Sequence, residues 1–309
     1  RVLAGPFCTM ILAELGARVI KIEAPPAGDD SRQFGPFLKG ASAYFLSLNR
    51  GKESLMLNLK DPGDREVFQR LLERADVLVE NFRPGAMDRL GLGWERLHER
   101  HPRLIYAALS GFGQTGPRAA QPAYDLVIQA MGGIMSLTGQ PGAPPTRVGS
   151  SIGDITAGLY ATAGINAALY HREKTGQGML VDVAMLDCQV AILENALARL
   201  SVEGEPPGPI GARHPSITPF DAFRAADGWL VICAGNDRLF AELLRVLGRQ
   251  ELGRDHRFKD NHRRTQNQEA LKTEIELSLA AQPAEHWLAA LQEAGVPSGP
   301  VNNVAQVVA

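Results

Sequence analysis

Between residues 18 and 183 the chain alternates strand-like and helix-like segments, and this order constrains the fold most. Residues 18–23 (RVIKIE) switch apolar and polar side chains with a period of two, as a half-buried strand does. Further strands are expected near 54–59, at 77–79, at 104–110 and at 180–183. Helical spacing fills the intervals. Residues 7–15 follow Gly5-Pro6 and stop at Gly16, and residues 64–75, 94–100, 124–132 and 186–200 show the same periodicity. The longest helix is expected over 155–174, with Asp154 as its N-cap and Gly176 near its end. Residues 25–40, rich in Pro and Gly, are expected to be a loop. Strands alternating with helices predict an α/β fold with a mostly parallel sheet. No GxGxxG follows a strand, so a nicotinamide-binding reading lacks its main support.

The alternation ends at residues 203–219, where Pro and Gly accumulate. This stretch predicts a linker between a large domain, 1–202, and a smaller α+β domain, 220–309. A chain of 309 residues suits two cores better than one. In the second domain, residues 220–223 and 229–234 flank Asp227-Gly228, a hairpin turn signal. Helices are expected over 238–247, 267–281 and 284–295.

The net charge of −2 offers no global attraction to nucleic acid. No apolar run has the length of a membrane span, and no membrane partner is expected. Cys8, Cys188 and Cys233 are far apart in sequence, so they suggest neither a disulfide framework nor a metal site. Small buried side chains in a reducing, cytoplasmic setting are the expectation. The seven histidines show no metal-ligand spacing. The chain opens at Arg1 without Met and ends at Ala309, and further sequence is expected beyond both ends.

Asp154 is the residue with the most chemical promise. On position alone, an N-cap is the stronger reading. A helix N-terminus also stabilises an anion, and Gly153 removes bulk beside it. A carboxylate there can serve as a covalent nucleophile. Arg32, Lys60 and Arg89 each fall just outside an expected element, and together they form a plausible grip for nucleotide phosphates. Each taken singly reads better as a solvated surface charge. Tyr124-Asp125 opens a helix and suits a cap or a substrate contact equally. Ser110-Gly111-Phe112-Gly113 does not form a GxSxG nucleophile elbow.

A set of strings in order resembles the class III CoA-transferases, the CaiB/BaiF family that includes formyl-CoA and carnitine CoA-transferases. They are Val2-Leu3-Ala4-Gly5-Pro6, Leu15-Gly16-Ala17, Val19-Ile20-Lys21-Ile22-Glu23 and Gly28-Asp29-Asp30-Ser31-Arg32. Leu57-Asn58-Leu59-Lys60, Val79-Glu80-Asn81-Phe82-Arg83-Pro84-Gly85, Tyr124-Asp125, Gly153-Asp154 and Lys174-Thr175-Gly176-Gln177-Gly178 follow. The resemblance implies a Rossmann-like large domain, a smaller α+β domain and an interlocked homodimer. It implies that a C-terminal segment closing the large domain lies beyond this sequence. It assigns Asp154 as the catalytic nucleophile and places CoA against Val2, Ala4, Arg32, Leu57, Lys60, Asn81, Phe82, Arg89 and Tyr124. CoA and acyl-CoA are then substrates, with no tightly bound cofactor and no metal. Donor backbone N–H groups near Gly153 are expected to stabilise the oxyanion.

Two rivals stand beside it. Racemases of the same superfamily place a His before the Asp of the motif occupied here by Tyr124-Asp125, and a phenol is a poor base at neutral pH. A CoA-binding protein without catalysis is the other. The linker's glycines, Gly204, Gly208 and Gly211, stand singly where formyl-CoA transferases have a glycine-rich loop, which is expected to weigh against oxalate and formate. His214-Pro215-Ser216-Ile217-Thr218-Pro219-Phe220 and Cys233-Ala234-Gly235-Asn236 resemble the branch acting between succinyl-CoA and dicarboxylates. A distal carboxylate needs a partner, and Arg1, Arg147, Arg213 and His214 are the candidates.

Overall fold

The computed structural model describes residues 1–309. The chain divides into two compact units. One comprises residues 1–138 and 143–208, and the other comprises residues 139–142 and 209–309. The short excursion 139–142 joins the second unit through the Gly211 N–H, which donates to the Gly139 carbonyl at 2.9 Å.

The first unit is a mixed α/β structure with two parallel sheets. Val19–Glu23 pairs with Lys52–Met56, and Val77–Glu80, Ile105–Ser110 and Leu180–Ala184 form a three-stranded sheet in that order. The expected single sheet is thus two separate hydrogen-bonded sheets. Ile105–Ser110 is central and buried at every residue, which explains its unbroken apolar run.

Helix Ile152–Thr175 lies against this sheet and against helix Ala4–Glu14. Its buried positions include Gly153, Ala157, Gly158, Ala161, Ile165 and Ala168, a stripe at helical spacing. The small side chains let the two helices approach closely. A Cβ on Gly158 would stand 3.0 Å from the Ala4 carbonyl oxygen and 3.0 Å from the Phe7 ring. Gly176, at φ 76°, ends the long helix and donates its N–H to the Arg172 carbonyl at 2.8 Å.

Two expectations need correction. The loop over 25–40 contains a helical turn, Asp30–Gln33, and a short strand, Phe37–Leu38, and after it comes a helix that was not expected, Ala43–Asn49, which begins where the Ser42 hydroxyl accepts the Phe45 N–H at 3.0 Å. The helix expected over 186–200 is two helices, Met185–Ala191 and Asn195–Glu203, separated at Glu194, whose φ is 50°. Neither Gly nor Pro marks that break, so the apolar periodicity runs across it unsignalled.

The second unit is α+β. Phe220–Arg224, Trp229–Cys233 and Ser298–Pro300 make an antiparallel sheet with Trp229–Cys233 in the middle. The hairpin uses four residues, 225–228, instead of a tight Asp-Gly pair. Asp227 instead accepts the Ala284 N–H at 2.8 Å and so supports the start of helix Ala284–Glu293. Helix Asp237–Leu247 buries Phe240, Leu243, Leu244 and Leu247 on one face, each contributing about 1.5–3 kcal/mol. The Asn236 side chain opens this helix and Gly248 closes it.

Candidate active site

In the first unit the candidate residues gather where parallel strands end, the edge at which open α/β sheets bind ligands. Asp29 and Arg32 follow Val19–Glu23 in the chain, Leu57 and Lys60 follow Lys52–Met56, and Asn81 and Phe82 follow Val77–Glu80. The N-terminal residues join them. The Val2 N–H donates to both Asp29 carboxylate oxygens at 3.2 Å, and the Asn81 side-chain amide donates to the Arg1 carbonyl at 2.8 Å. Val2 has a φ of 58°, an uncommon conformation for a β-branched residue.

These side chains differ in what they leave free. Leu57 and Ala4 are buried and offer a ligand mainly their backbone. Phe82, Tyr124, Lys60 and Arg89 are exposed. Arg32 and Arg89 lie in short helical turns, Asp30–Gln33 and Ala86–Arg89, not in loops. Arg32 is also engaged within the protein. Its Nε and Nη2 reach the two oxygens of Glu23 at 2.7 Å each, and its guanidinium lies 3.8 Å from the centre of the Phe45 ring. Glu23 is fully buried and also accepts from Ser54 at 2.7 Å and the Asp29 N–H at 2.8 Å. Burial alone would raise its pKa, but Arg32, Ser54 and the Asp29 N–H hold it at about 2. Asp29 is held well below the usual carboxylate range by Lys21, at 2.7 Å, and by Ser31, against the opposing effect of burial.

Asp154 occupies the third position of helix Ile152–Thr175, so it is not the N-cap. Ser151 is at the cap and makes no side-chain capping bond. The capping carboxylate comes from a distant part of the chain. Asp125 Oδ1 accepts the Gly153 N–H at 2.8 Å and the Asp154 N–H at 3.4 Å. Gln129, fully buried, steadies it by donating to Asp125 Oδ2 at 2.7 Å and accepting the Val148 N–H at 2.9 Å. Two further expectations change as a result. The helix-start N–H groups near Gly153 are already bonded to Asp125, so they are not free oxyanion donors. The space beside Gly153 is filled by Asp125 and Ile128, both 3.1 Å from where a Cβ would stand, and does not admit substrate.

The Asp154 carboxylate lies beside a second helix N-terminus, that of Ala4–Glu14. Burial raises its pKa, the Asp125 charge adds to this, and the Ala4 N–H works in the opposite direction. The result is about 6, so desolvation and like charge outweigh the helix termini expected to keep it strongly acidic. A carboxylate in this state is ionised at neutral pH and more basic than a solvated aspartate. Tyr44, half-buried on the helix missing from the sequence reading, feels the charges of Asp154, Asp29 and Asp125. Burial first, and those charges second, raise its pKa, so the phenol keeps its proton and can donate it in a hydrogen bond.

The substrate candidates are divided between the two units, Arg1 and Arg147 in the first and Arg213 and His214 in the second. Arg1 pairs with Asp30 at 3.1 Å, and Arg147 curls onto the Val148 and Gly149 carbonyls at 3.1 and 2.6 Å. Arg213 and His214 belong to the second unit. There Arg213 donates to Gln268 at 2.7 Å, and His214 Nδ1 accepts the Ser216 N–H at 3.1 Å.

Comparisons with known proteins converge on one family. The model of CoA-transferase family III matches residues 1–309. The chain is 54% identical over 306 residues to an acetyl-CoA:oxalate CoA-transferase of Acetobacter aceti, spanning 99% of this chain and 79% of that protein. It is 41% identical to a succinyl-CoA:glutarate CoA-transferase of Mus musculus, over 99% of this chain and 71% of that protein. A crystal structure of a CaiB/BaiF family protein from Brucella suis superposes with a TM-score of 0.89 at 41% identity, covering 100% of this chain and 82% of that one. A match over every residue, together with shared α/β architecture, means that the chain belongs to CoA-transferase family III.

Proposed function

We propose that the chain transfers CoA from an acyl-CoA to a dicarboxylic acid, with Asp154 as the nucleophile. The observation that carries this is the setting of Asp154. It is a carboxylate of pKa about 6 beside two helix N-termini, in the unit whose strand ends gather the CoA-binding candidates.

The steps balance without a cofactor. An Asp154 oxygen attacks the donor thioester carbonyl, forming a mixed anhydride and releasing CoA thiolate. The thiolate attacks the aspartyl carbonyl of the anhydride, giving an aspartyl-CoA thioester and freeing the donor acid. The acceptor carboxylate attacks this thioester, forming a second anhydride and releasing thiolate again. The thiolate then attacks the acceptor carbonyl, yielding the new acyl-CoA and restoring Asp154. Binding of the CoA body by Val2, Ala4, Lys60, Asn81, Phe82, Arg89 and Tyr124 holds the thioester against the carboxylate. Arg32 supports this surface through Glu23, and the Tyr44 hydroxyl is a donor for developing negative charge.

The named relatives act on oxalate and on glutarate. The 54% identity to the oxalate enzyme removes the weight placed on the missing glycine-rich loop, so oxalate stands with longer dicarboxylates as an acceptor. Arg1, Arg147, Arg213 and His214 remain the candidates for the distal carboxylate. The finer architecture belongs to the same proposal. Residues 1–202 form a Rossmann-like catalytic domain, residues 203–219 a linker and residues 220–309 a smaller domain, in an interlocked homodimer. Apolar side chains left exposed on the long helix, Leu159, Tyr160 and Tyr170, support burial by a second copy.

The test is CoA exchange followed by mass spectrometry. Acetyl-CoA and succinyl-CoA are offered with oxalate, glutarate and a monocarboxylate, alongside Asp154→Ala. Transfer to a dicarboxylate that vanishes in the variant supports the proposal. Full turnover by Asp154→Ala, or no transfer to any acid with CoA still bound, overturns it.

A further inference from the structure

Lys52 is a half-buried cation that the transfer steps leave unused. It opens strand Lys52–Met56, and its Nζ donates to the Pro6 carbonyl at 2.8 Å and to Asn49 Oδ1 at 3.1 Å. Both partners are neutral. No carboxylate lies within salt-bridge distance of it, whereas Lys21 holds Asp29 and Lys272 holds Asp221, each at 2.7 Å. Burial lowers the Lys52 pKa to about 7, and the charges of Lys21 and Arg50 push the same way while Cys8 and Asp29 oppose them. Desolvating an ammonium against neutral acceptors is unfavourable. A methionine would fill the same space without that penalty, so packing alone does not account for the residue.

The two acceptors belong to the two helices that serve Asp154. Pro6 lies in the first turn of helix Ala4–Glu14, close to Ala4, whose N–H faces the Asp154 carboxylate. Asn49 is the last residue of helix Ala43–Asn49 and is buried, and its Nδ2 donates to the Phe45 carbonyl at 2.9 Å. Tyr44, adjacent to Phe45, is near enough to Asp154 to feel its charge. One nitrogen thus joins the helix that carries the Ala4 N–H to the helix that carries the Tyr44 hydroxyl. An ammonium has three donors and no acceptor, so it meets two carbonyl-type oxygens at once and gains nothing by turning to neighbouring N–H groups.

We propose that Lys52 is a positioning residue for CoA transfer, whose two hydrogen bonds set the Ala4 N–H and the Tyr44 hydroxyl against the Asp154 carboxylate. The proposal rests on the reading of Asp154 as the nucleophile. Lys52 makes no hydrogen bond to Asp154 and acts through the two helices.

The experiment compares exchange kinetics of wild type and Lys52→Met, which keeps the apolar stem and removes the donors. Displacing groups that face the nucleophile should lower kcat about ten- to a hundredfold, with a smaller change in KM for acyl-CoA. The acid limb of kcat should move to higher pH, because a displaced Ala4 N–H stabilises ionised Asp154 less. The fold should survive, since loss of the desolvated ammonium offsets loss of its bonds and the Pro6 carbonyl keeps the Thr9 hydroxyl at 3.2 Å. Melting temperature is measured alongside. A lower melting temperature with kcat and acid limb as in wild type would make Lys52 a tie of the fold alone and overturns the proposal. A higher KM with wild-type kcat also overturns it, by assigning Lys52 to the CoA surface. Asn49→Leu decides the matter if Lys52→Met does not fold. It keeps the bond to Pro6 and loosens only the helix of Tyr44, so kcat should fall while the acid limb stays in place. In a Tyr44→Phe background it should lower kcat no further. Wild-type kcat for Asn49→Leu overturns the proposal. Full turnover by Asp154→Ala in the same assay would instead defeat the nucleophile reading, a result independent of any change at Lys52.

Discussion

Asp125 Oδ1 accepts the Gly153 N–H at 2.8 Å, so one carboxylate caps the helix that carries another, Asp154, two positions into its first turn. The same contact that fixes the helix start also places a like charge near the proposed nucleophile, and Asp125 is the second cause, after burial, of its raised pKa. Positioning and activation are therefore coupled through one side chain.

The first prediction concerns the acid limb of activity. Asp154 must be ionised to attack, and its pKa is about 6. The rate with saturating acceptor should fall about tenfold per pH unit below that value. Stability should move the other way. The folded pKa lies above the ordinary value of 3.8, so ionising Asp154 costs stability as pH rises from 3.8 through about 6, and the cost is complete at pH 7. Asp154→Asn should therefore abolish transfer while making the protein more stable at pH 7, by about 3 kcal/mol. Denaturant unfolding at pH 7 and pH 4 checks this, since the gain should disappear at the lower pH.

The second prediction separates the two functions of Asp125. Asp125→Asn retains an oxygen for the Gly153 N–H but removes the charge, so the acid limb should shift to lower pH; its amide NH2 meets the Gln129 donor, so some stability is lost as well. Asp125→Ala leaves that buried N–H unpaired and should cost about 1–3 kcal/mol as well. A pH–rate profile identical to wild type for Asp125→Asn would show that the two carboxylates do not interact.

Much of this was legible in the sequence, but unevenly. The amphipathic helices of the second unit announce themselves because Phe240, Leu243, Leu244 and Leu247 recur on one face. Asp154 was placed at a helix start because a Gly-Asp pair precedes a long apolar stretch. The true cap was not legible, because Asp125 reaches Gly153 across 28 residues and no local rule joins them. Tyr44 was missed because the Pro/Gly composition before it hid a seven-residue helix. Its signal was the Ser42 cap three residues before Phe45. Arg32 read as a free cation because its partner, Glu23, lies at the end of a strand and across a loop.

The third prediction follows from that ion pair. Glu23 is wholly buried, so Arg32→Ala leaves its charge without its main partner and should destabilise the protein by about 2–3 kcal/mol. Arg89→Ala removes an exposed side chain with no carboxylate partner and should leave the melting temperature within about a degree while raising KM for CoA. Thermal melts of the two variants, set beside their KM values, distinguish a residue that shapes the CoA surface from one that binds it.

The fourth prediction concerns Glu80, buried at the end of its strand, whose Oε2 accepts the Phe82 N–H at 2.7 Å. Burial raises its pKa to about 7, against the effect of that N–H. The folded value lies above the ordinary 4.5, so stability should decline as pH rises from 4.5 through 7. Glu80→Gln keeps an acceptor for Phe82 and cannot ionise, so its melting temperature should fall less steeply between pH 5 and pH 8. Parallel slopes for variant and wild type would place the titration elsewhere.

The last prediction tests whether helix packing alone can govern the nucleophile. At Gly158 an added Cβ would come within 3.0 Å of the Ala4 carbonyl oxygen and 3.3 Å of the Cys8 nitrogen. Both are backbone atoms of helix Ala4–Glu14, which cannot rotate away as a side-chain end can. Gly158→Ala must therefore move the two helices apart, and Ala4, whose N–H faces Asp154, moves with them. Overpacking of this kind costs about 1–3 kcal/mol. The effect on transfer should exceed what that instability explains, because losing the Ala4 N–H removes a group that stabilises ionised Asp154. The acid limb should accordingly shift to higher pH in Gly158→Ala, opposite to Asp125→Asn. A variant that loses stability but keeps the wild-type pH profile would show that Ala4 has no part in setting the charge of Asp154.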